Sequence, residues 1–92
     1  MSLAEVRTQI DGLDDQIVGL LAQRQELVRT AARFKIDEAA VRGADRRAAM
    51  MQRLRARAAA VGLEPEVVVA VYTAMVDAFV QLELREHRAT RE

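Results

Sequence analysis

Cysteine is absent from this sequence, so no disulfide framework can hold the fold together. Aromatic residues make up only 3% of it, which leaves no stacking platform for single-stranded nucleic acid. Neither sign of charge is in excess. Fourteen basic residues balance fourteen acidic ones, and the electrostatic footprint of a nucleic-acid-binding surface is missing. No apolar run approaches the ~18 residues of a membrane span, and no basic-then-apolar leader opens the chain. The expectation is a cytoplasmic protein with neither nucleic acid nor membrane as partner. Lysine is nearly absent too: thirteen of the fourteen basic residues are arginine, and Lys35 stands alone. Genomic composition accounts for such a bias. The other reading is that position 35 requires a compact point charge where a planar guanidinium would not serve.

What the sequence does contain is a long apolar period. Leu3, Val6, Ile10, Leu13, Ile17, Leu20, Leu27, Ala31 and Phe34 recur at alternating steps of three and four. The missing member of the series is Arg24, a guanidinium placed on the seam. No proline interrupts the stretch, and Gly19 costs about 1 kcal/mol against alanine, too little to break it. The pattern predicts one helix from Leu3 to about Ile36, roughly 50 Å long. The chain is long enough for a single domain, 1–92, with Met-Ser-Leu at its start given no weight and 88–92 read as a polar tail. A compact monomer of this size has a radius of gyration of about 12 Å. A 50 Å helix does not fit inside it, so part of the seam needs cover from outside. An intertwined homodimer is the simplest solution, and an extended coiled-coil rod meets the same geometry.

The remainder predicts two further helices. Residues 37–44 break the apolar period, carry Gly43 and read as a loop of about eight residues. Asp45 offers an N-cap for a short second helix with Met50 or Met51, Leu54, Ala58 and Val61 on its apolar face, closed by Gly62. Pro65 suits the first turn of a third helix with Val68, Val71, Tyr72, Met75, Val76, Phe79 and Leu82 on a wide apolar face. That helix is expected to fray within Arg85–Arg88. No strand pattern or internal repeat is present. The fold class is all-α: three helices, long, short and medium.

Several charged residues sit where a purely structural sequence would not put them. Arg24 has Leu20, Leu21, Leu27 and Val28 as its three- and four-residue neighbours, and a buried guanidinium needs an anion from elsewhere. Arg46 falls in the first turn of the second helix, where free amides already favour negative charge. Glu83 continues the row Tyr72, Val76, Phe79 with no Arg or Lys three or four residues away. Each has a plainer alternative. Arg7 can pair with Asp11 at i,i+4. Arg24 can set the register of a dimer, Lys35 and Arg46 can be solvated cations near helix ends, and Glu83 can pair with Arg24. Taken together they describe a polyanion pocket among helices, cationic on several sides and carrying one carboxyl group.

Val6-Arg7-x-x-Ile10-x-x-Leu13-Asp14, Leu20-Leu21-x-x-Arg24, Arg33-Phe34-Lys35, Asp45-Arg46 and the Glu83 row occur in an order and at separations that resemble one family. It is the all-helical, bacterial type II chorismate mutase family, which includes the related isochorismate pyruvate-lyase. The resemblance covers about Val6 to Glu86. It implies an intertwined helical homodimer whose long first helices span both active sites, with Arg7 serving the partner's pocket. It further implies that Arg7 and Arg24 hold the two substrate carboxylates and that Lys35 touches a carboxylate and the breaking ether oxygen. Arg46 supports this group, Glu83 donates to the same oxygen, and the 37–44 segment covers the substrate. Seventeen residues separate Arg7 from Arg24 and eleven separate Arg24 from Lys35, about 25 and 16 Å along one helix. Arg7 is therefore too far away to share its own chain's pocket.

The chemistry so implied is the rearrangement of chorismate to prephenate. It is pericyclic and calls for no nucleophile, metal or cofactor. The site has to position the enolpyruvyl arm over the ring and stabilise negative charge growing on the ether oxygen. Bidentate arginine–carboxylate pairs do the first, and Lys35 with a protonated Glu83 does the second. Two positions depart from the mutase pattern. Arg47 stands where mutases carry a glutamate for the ring hydroxyl, and Gly43 stands where an acidic residue is frequent. The lyase lacks that glutamate as well, although it carries glutamine at the position of Glu83. Mutase is the first reading, isochorismate pyruvate-lyase follows closely, and a non-catalytic helical interaction module is the alternative from another class.

Overall fold

The computed structural model describes residues 1–91, the last two by their backbone alone; residue 92, the end of the expected polar tail, lies outside the described residues. Four helices follow in order: α1 Leu3–Ala32, α2 Glu38–Arg42, α3 Ala44–Val61 and α4 Pro65–Arg91. Three of them are the expected long, short and medium helices. The fourth is a single turn inside the segment read as a loop. No strand occurs among the described residues.

Helix α1 begins at a cap that the sequence reading passed over. The Ser2 hydroxyl accepts a hydrogen bond from the Glu5 amide at 3.1 Å, the first half of a capping box. The helix ends about one turn earlier than expected, at 30 residues. Its last turn tightens: Phe34 N–H donates to Ala31 O at 3.0 Å and Lys35 N–H to Ala32 O at 3.3 Å. The apolar period carries on through Phe34, but the backbone has already turned off the axis. Lys35 thus lies beyond the helix and not a further 16 Å along it.

Residues 37–44 are more ordered than a loop. Asp37, in an extended conformation, caps α2 by accepting from the Ala40 amide at 2.8 Å. Gly43 then closes α2 and opens α3 at once, with φ 48° and ψ 57°. A single residue joining two helices has to sit in the left-handed region, which glycine enters without a Cβ penalty. The N-cap of α3 is therefore Gly43, not Asp45. Asp45 lies inside the first turn, where its charge still suits the helix dipole. At the other end, Gly62 at φ 78° and the Leu63 N–H to Ala58 O bond of 2.9 Å form a Schellman stop.

Helix α4 starts on Pro65 as expected, yet it runs through Arg91 and does not fray at Arg85–Arg88. The reason is packing. Glu83, Leu84 and His87 are all buried, and Leu84 is the most deeply buried large side chain. The core consists of Val76, Val80 and Leu84 from α4 against Val41 of α2 and Met50 of α3, with Leu54 and Tyr72 at its edge. Pro65–Ala89 is, by length and composition, apolar enough to cross a membrane, with mean hydropathy 1.7 over its most apolar 18 residues. The expectation that no run approaches a span does not hold for this helix, whose most apolar stretch contains two carboxylates, Asp77 and Glu83. Both carboxylates are ion-paired, to Arg47 and Lys35 respectively, and the same helix supplies most of the core.

The chain is long and thin, 55 × 25 × 15 Å, with a radius of gyration of 16.1 Å. A compact chain of this length would give about 12 Å. The excess is α1. Residues 1–20 are exposed throughout, including Ile10 at 49%, Leu13 at 56%, Ile17 at 51% and Leu20 at 62%. Only the last third packs, through Leu21, Gln25, Val28 and the buried Ala32. The heptad-like seam is uncovered from Leu3 to Leu20, and only from Arg24 onward does it border the body, beside the row that meets α4.

Helix α2 has no room for a core of its own beyond Val41. An ion pair ties it to α4: Arg88 Nε donates to Glu38 Oε1 at 2.7 Å. That hydrogen bond, followed by the charge of the guanidinium, holds the Glu38 carboxyl below its ordinary value of 4.5. The folded state therefore releases the Glu38 proton more readily than the unfolded chain. The tie contributes fully above the ordinary value and is lost as pH falls through the lowered one. Glu38→Gln is expected to raise amide exchange across α2 at neutral pH. In acid well below that lowered value the wild type should exchange like the variant, and a difference that persists once Glu38 is protonated would refute the assignment.

Candidate functional site

The ends of the helices meet around one cavity of about 380 Å³. The C-terminal third of α1 supplies Arg24, the turn after α1 supplies Lys35, and the start of α3 supplies Arg46. Glu83 and Phe79 come from α4. Four of the five candidate residues thus line a single space. The fifth, Arg7, lies on the exposed first half of α1, some 25 Å from Arg24 along the helix. It forms no ion pair with Asp11 or with any other of the described residues.

Arg24 is the most telling of these. Its guanidinium lies over the Phe79 ring, 4.7 Å from the centroid, and its Nη1 is buried without a hydrogen-bond partner. The ring's negative face offsets part of the cost of taking the cation out of water. It cannot satisfy an N–H. Pairing of Arg24 with Glu83, one of the plainer alternatives, does not occur, because Glu83 is taken by Lys35. Lys35 Nζ donates to Glu83 Oε2 at 2.7 Å, with the carboxylate buried and the lysine partly so. Arg46 is exposed at the mouth and makes no ion pair among the described residues.

The remaining cations fall into a different class. Arg47 points back to α4, with Nη1 2.8 Å from Asp77 Oδ1 and Nη2 3.5 Å from Thr73 O. It lines the cavity while being held by a carboxylate outside it. Arg29 bridges Glu26 and Glu86 along α1 and α4. Arg42, on the last turn of α2, also lines the cavity.

The sequence reading passed over three features of this arrangement. Phe79 is more than a core residue, since it carries the Arg24 guanidinium. Arg42 was placed in a loop and not weighed. His87, the one histidine in the chain, is buried with its Nε2 3.0 Å from the Lys35 carbonyl oxygen. The signal that could have found His87 was its position four residues after Glu83, on the same face of a helix.

In chemical terms the cavity holds a guanidinium with one buried, unpartnered N–H group, a lysine–carboxylate pair and at least two further arginines at the rim. It suits a compact anion with more than one negative group. Arg24→Met is expected to melt no lower than the wild type, because an apolar side chain of similar length relieves a buried unpaired donor. The same variant should bind a cyclic dicarboxylate analogue about 10- to 100-fold more weakly by titration calorimetry. Loss of stability with unchanged binding would show Arg24 to be a structural residue.

Comparison with known proteins gives the family. The family model for chorismate mutase type II matches residues 6–84. Isochorismate pyruvate lyase of Pseudomonas aeruginosa is 33% identical over 89 residues, which cover 97% of this chain and 88% of that protein. On the extent of the family match and of that relative, the chain belongs to the chorismate mutase type II family.

Proposed function

We propose that the protein is a chorismate mutase, catalysing the rearrangement of chorismate to prephenate in a cytoplasmic homodimer whose active sites are shared between protomers. The observation that carries this reading is the unpartnered buried Nη1 of Arg24 in the same cavity as the Lys35–Glu83 pair. An anionic substrate would supply the missing acceptor. One carboxylate goes to Arg24, and the other to Arg7 of the partner, with Arg46 adding charge at the rim. Binding in this way folds the enolpyruvyl methylene over the ring carbon it must attack.

Six electrons then shift in one cycle. The ether C–O bond breaks as the new C–C bond forms, and negative charge gathers on the ether oxygen. Lys35 Nζ donates to that oxygen, and Glu83 donates as well when it carries a proton. In the free chain these two groups hold each other at 2.7 Å. The substrate oxygen takes the place between them. An ionised Glu83 would repel the growing charge, whereas Glu83→Gln puts a neutral donor in the same place. Glu83→Gln should therefore retain turnover and Glu83→Ala should lose most of it. A Glu83→Ala variant as active as the wild type would refute this role for Glu83.

Isochorismate pyruvate-lyase activity is the second reading, with two observations in its favour. The matched relative carries that name at 33% identity over nearly the whole chain. Arg47 also stands at the position of the mutase glutamate and is held by Asp77, so it cannot accept a hydrogen bond from a ring hydroxyl. The deciding experiment offers the purified protein chorismate and isochorismate separately. Prephenate from the first supports the mutase, and salicylate plus pyruvate from the second supports the lyase. Turnover of neither, with no thermal shift from a transition-state analogue, would leave the interaction module.

The dimer has its own test. If Arg7 serves the partner's pocket, Arg7→Ala and Lys35→Ala protomers are each inactive alone, but a mixed dimer has one intact site. Subunit exchange between the two variants should restore about a quarter of wild-type activity. No recovery after demonstrated exchange would place Arg7 outside the site.

A further inference from the structure

His87 is buried, lies on the last turns of α4 and takes no part in the chemistry described above. Its Nε2 is 3.0 Å from the carbonyl oxygen of Lys35. A carbonyl only accepts, so Nε2 bears the hydrogen and donates. One turn back on the same face of α4, Glu83 accepts from the other end of the same residue, Lys35 Nζ, at 2.7 Å. Four residues of helix rise about 6 Å, close to the reach of an extended lysine side chain. Helix α4 thus presents two rungs, a carboxylate for the ammonium and an imidazole N–H for the backbone.

Lys35 needs such a hold because its own segment supplies little. It follows the end of α1, and its amide is bonded only through a 3.3 Å turn contact to Ala32 O. Its carbonyl, beyond the helix, has no place in a regular ladder. Phe34 just before it is 82% exposed and adds no packing to the turn. We infer that His87 is a positioning residue, fixing the Lys35 backbone so that Nζ meets Glu83 and the cavity in one place. Its catalytic consequence rests on the proposed function, whereas its structural content does not.

The single lysine makes this testable without turnover. In protein labelled at the lysine side chain, Lys35 gives one Nζ/Cε resonance. His87→Gln keeps an N–H at the reach of Nε2. His87→Leu keeps bulk without a donor, and His87→Asn keeps a donor that is too short. His87→Leu and His87→Asn are expected to move the Lys35 resonance toward its position in Glu83→Gln, and His87→Gln to leave it near wild type. If His87→Leu does not fold, the Asn and Gln pair makes the same comparison. A Lys35 resonance unmoved in the donor-lacking or short variant overturns the inference, as does a Gln variant displaced as far as the others.

Kinetics add the second arm. On whichever substrate is turned over, kcat should fall about tenfold or more in His87→Leu with KM little changed, and recover in His87→Gln. A loss confined to KM would overturn the positioning role. If the wild type turns over neither substrate, the proposed function fails, and the resonance still decides whether His87 holds Lys35.

Discussion

A helix of 30 residues runs about 45 Å, and the rest of this chain is too small to cover it. Helix α4 reaches only its last third. The first 20 residues of the chain are exposed, and most helical stability comes from packing an apolar face, which this stretch lacks within its own chain. Three apolar seam residues there, Leu13, Ile17 and Leu20, are each more than half exposed. Full burial of such a side chain is worth roughly 1.5–3 kcal/mol. The seam therefore represents stabilisation that a second copy can realise and the single chain cannot. The dimer proposed above covers it and carries Arg7 to a pocket 25 Å from where its own chain's Arg24 sits.

The cations divide by whether they have partners. Arg29, Arg47 and Arg88 are paired with Glu26 and Glu86, Asp77 and Glu38, and these pairs hold one helix or segment to another. Exposed pairs of this kind add little to stability, but they fix orientation. Arg24 and Arg46 have no such pairs, and both face the cavity. Arg24 is the costlier of the two, because one of its donors is buried and unsatisfied. A sequence selected for stability alone would place leucine there, as it does at positions 20 and 27. The guanidinium carries a cost in the free chain that the anion of the proposed function would offset.

Most of the fold was legible because it rests on period and punctuation. The seam from Leu3, the stop at Gly62 and the start at Pro65 are local signals, and the structure follows them. The misreadings have two causes. At Lys35 and at Arg85–Arg88 the local pattern is overruled by contacts made far away in sequence, while at Gly43 a local cap geometry shared by two helices was missed. The apolar period runs on past Ala32 although the chain turns there to meet α4. Gly43 reads as a loop glycine until two helices are seen to share it. The last turns of α4 look polar, but Leu84 and His87 are buried against the segment after α1. Arg24, Lys35, Arg46 and Glu83 were individually visible as charges on wrong faces. That they line one cavity depends on that same turn, and the carriers behind them, Phe79 and His87, had no local signal strong enough to stand out.

Residues 33–46 explain how so small a chain builds a site. Within that span lie the end of α1, the Asp37 cap, a one-turn helix and the Gly43 junction. Backbone caps turn the chain sharply without needing a core beneath each bend. Lys35, Arg42 and Arg46 each stand next to one of these bends, so their side chains converge while their backbones need not pack. Bends of this kind are weak on their own, and the two long contacts that restrain them both reach α4, through Glu38 to Arg88 and through Lys35 to His87 and Glu83. The polar end of α4 is therefore not a tail past the fold. Its turns hold the cationic segment in place, His87 through the Lys35 carbonyl and Arg88 through Glu38, beside the core of Val76, Val80 and Leu84.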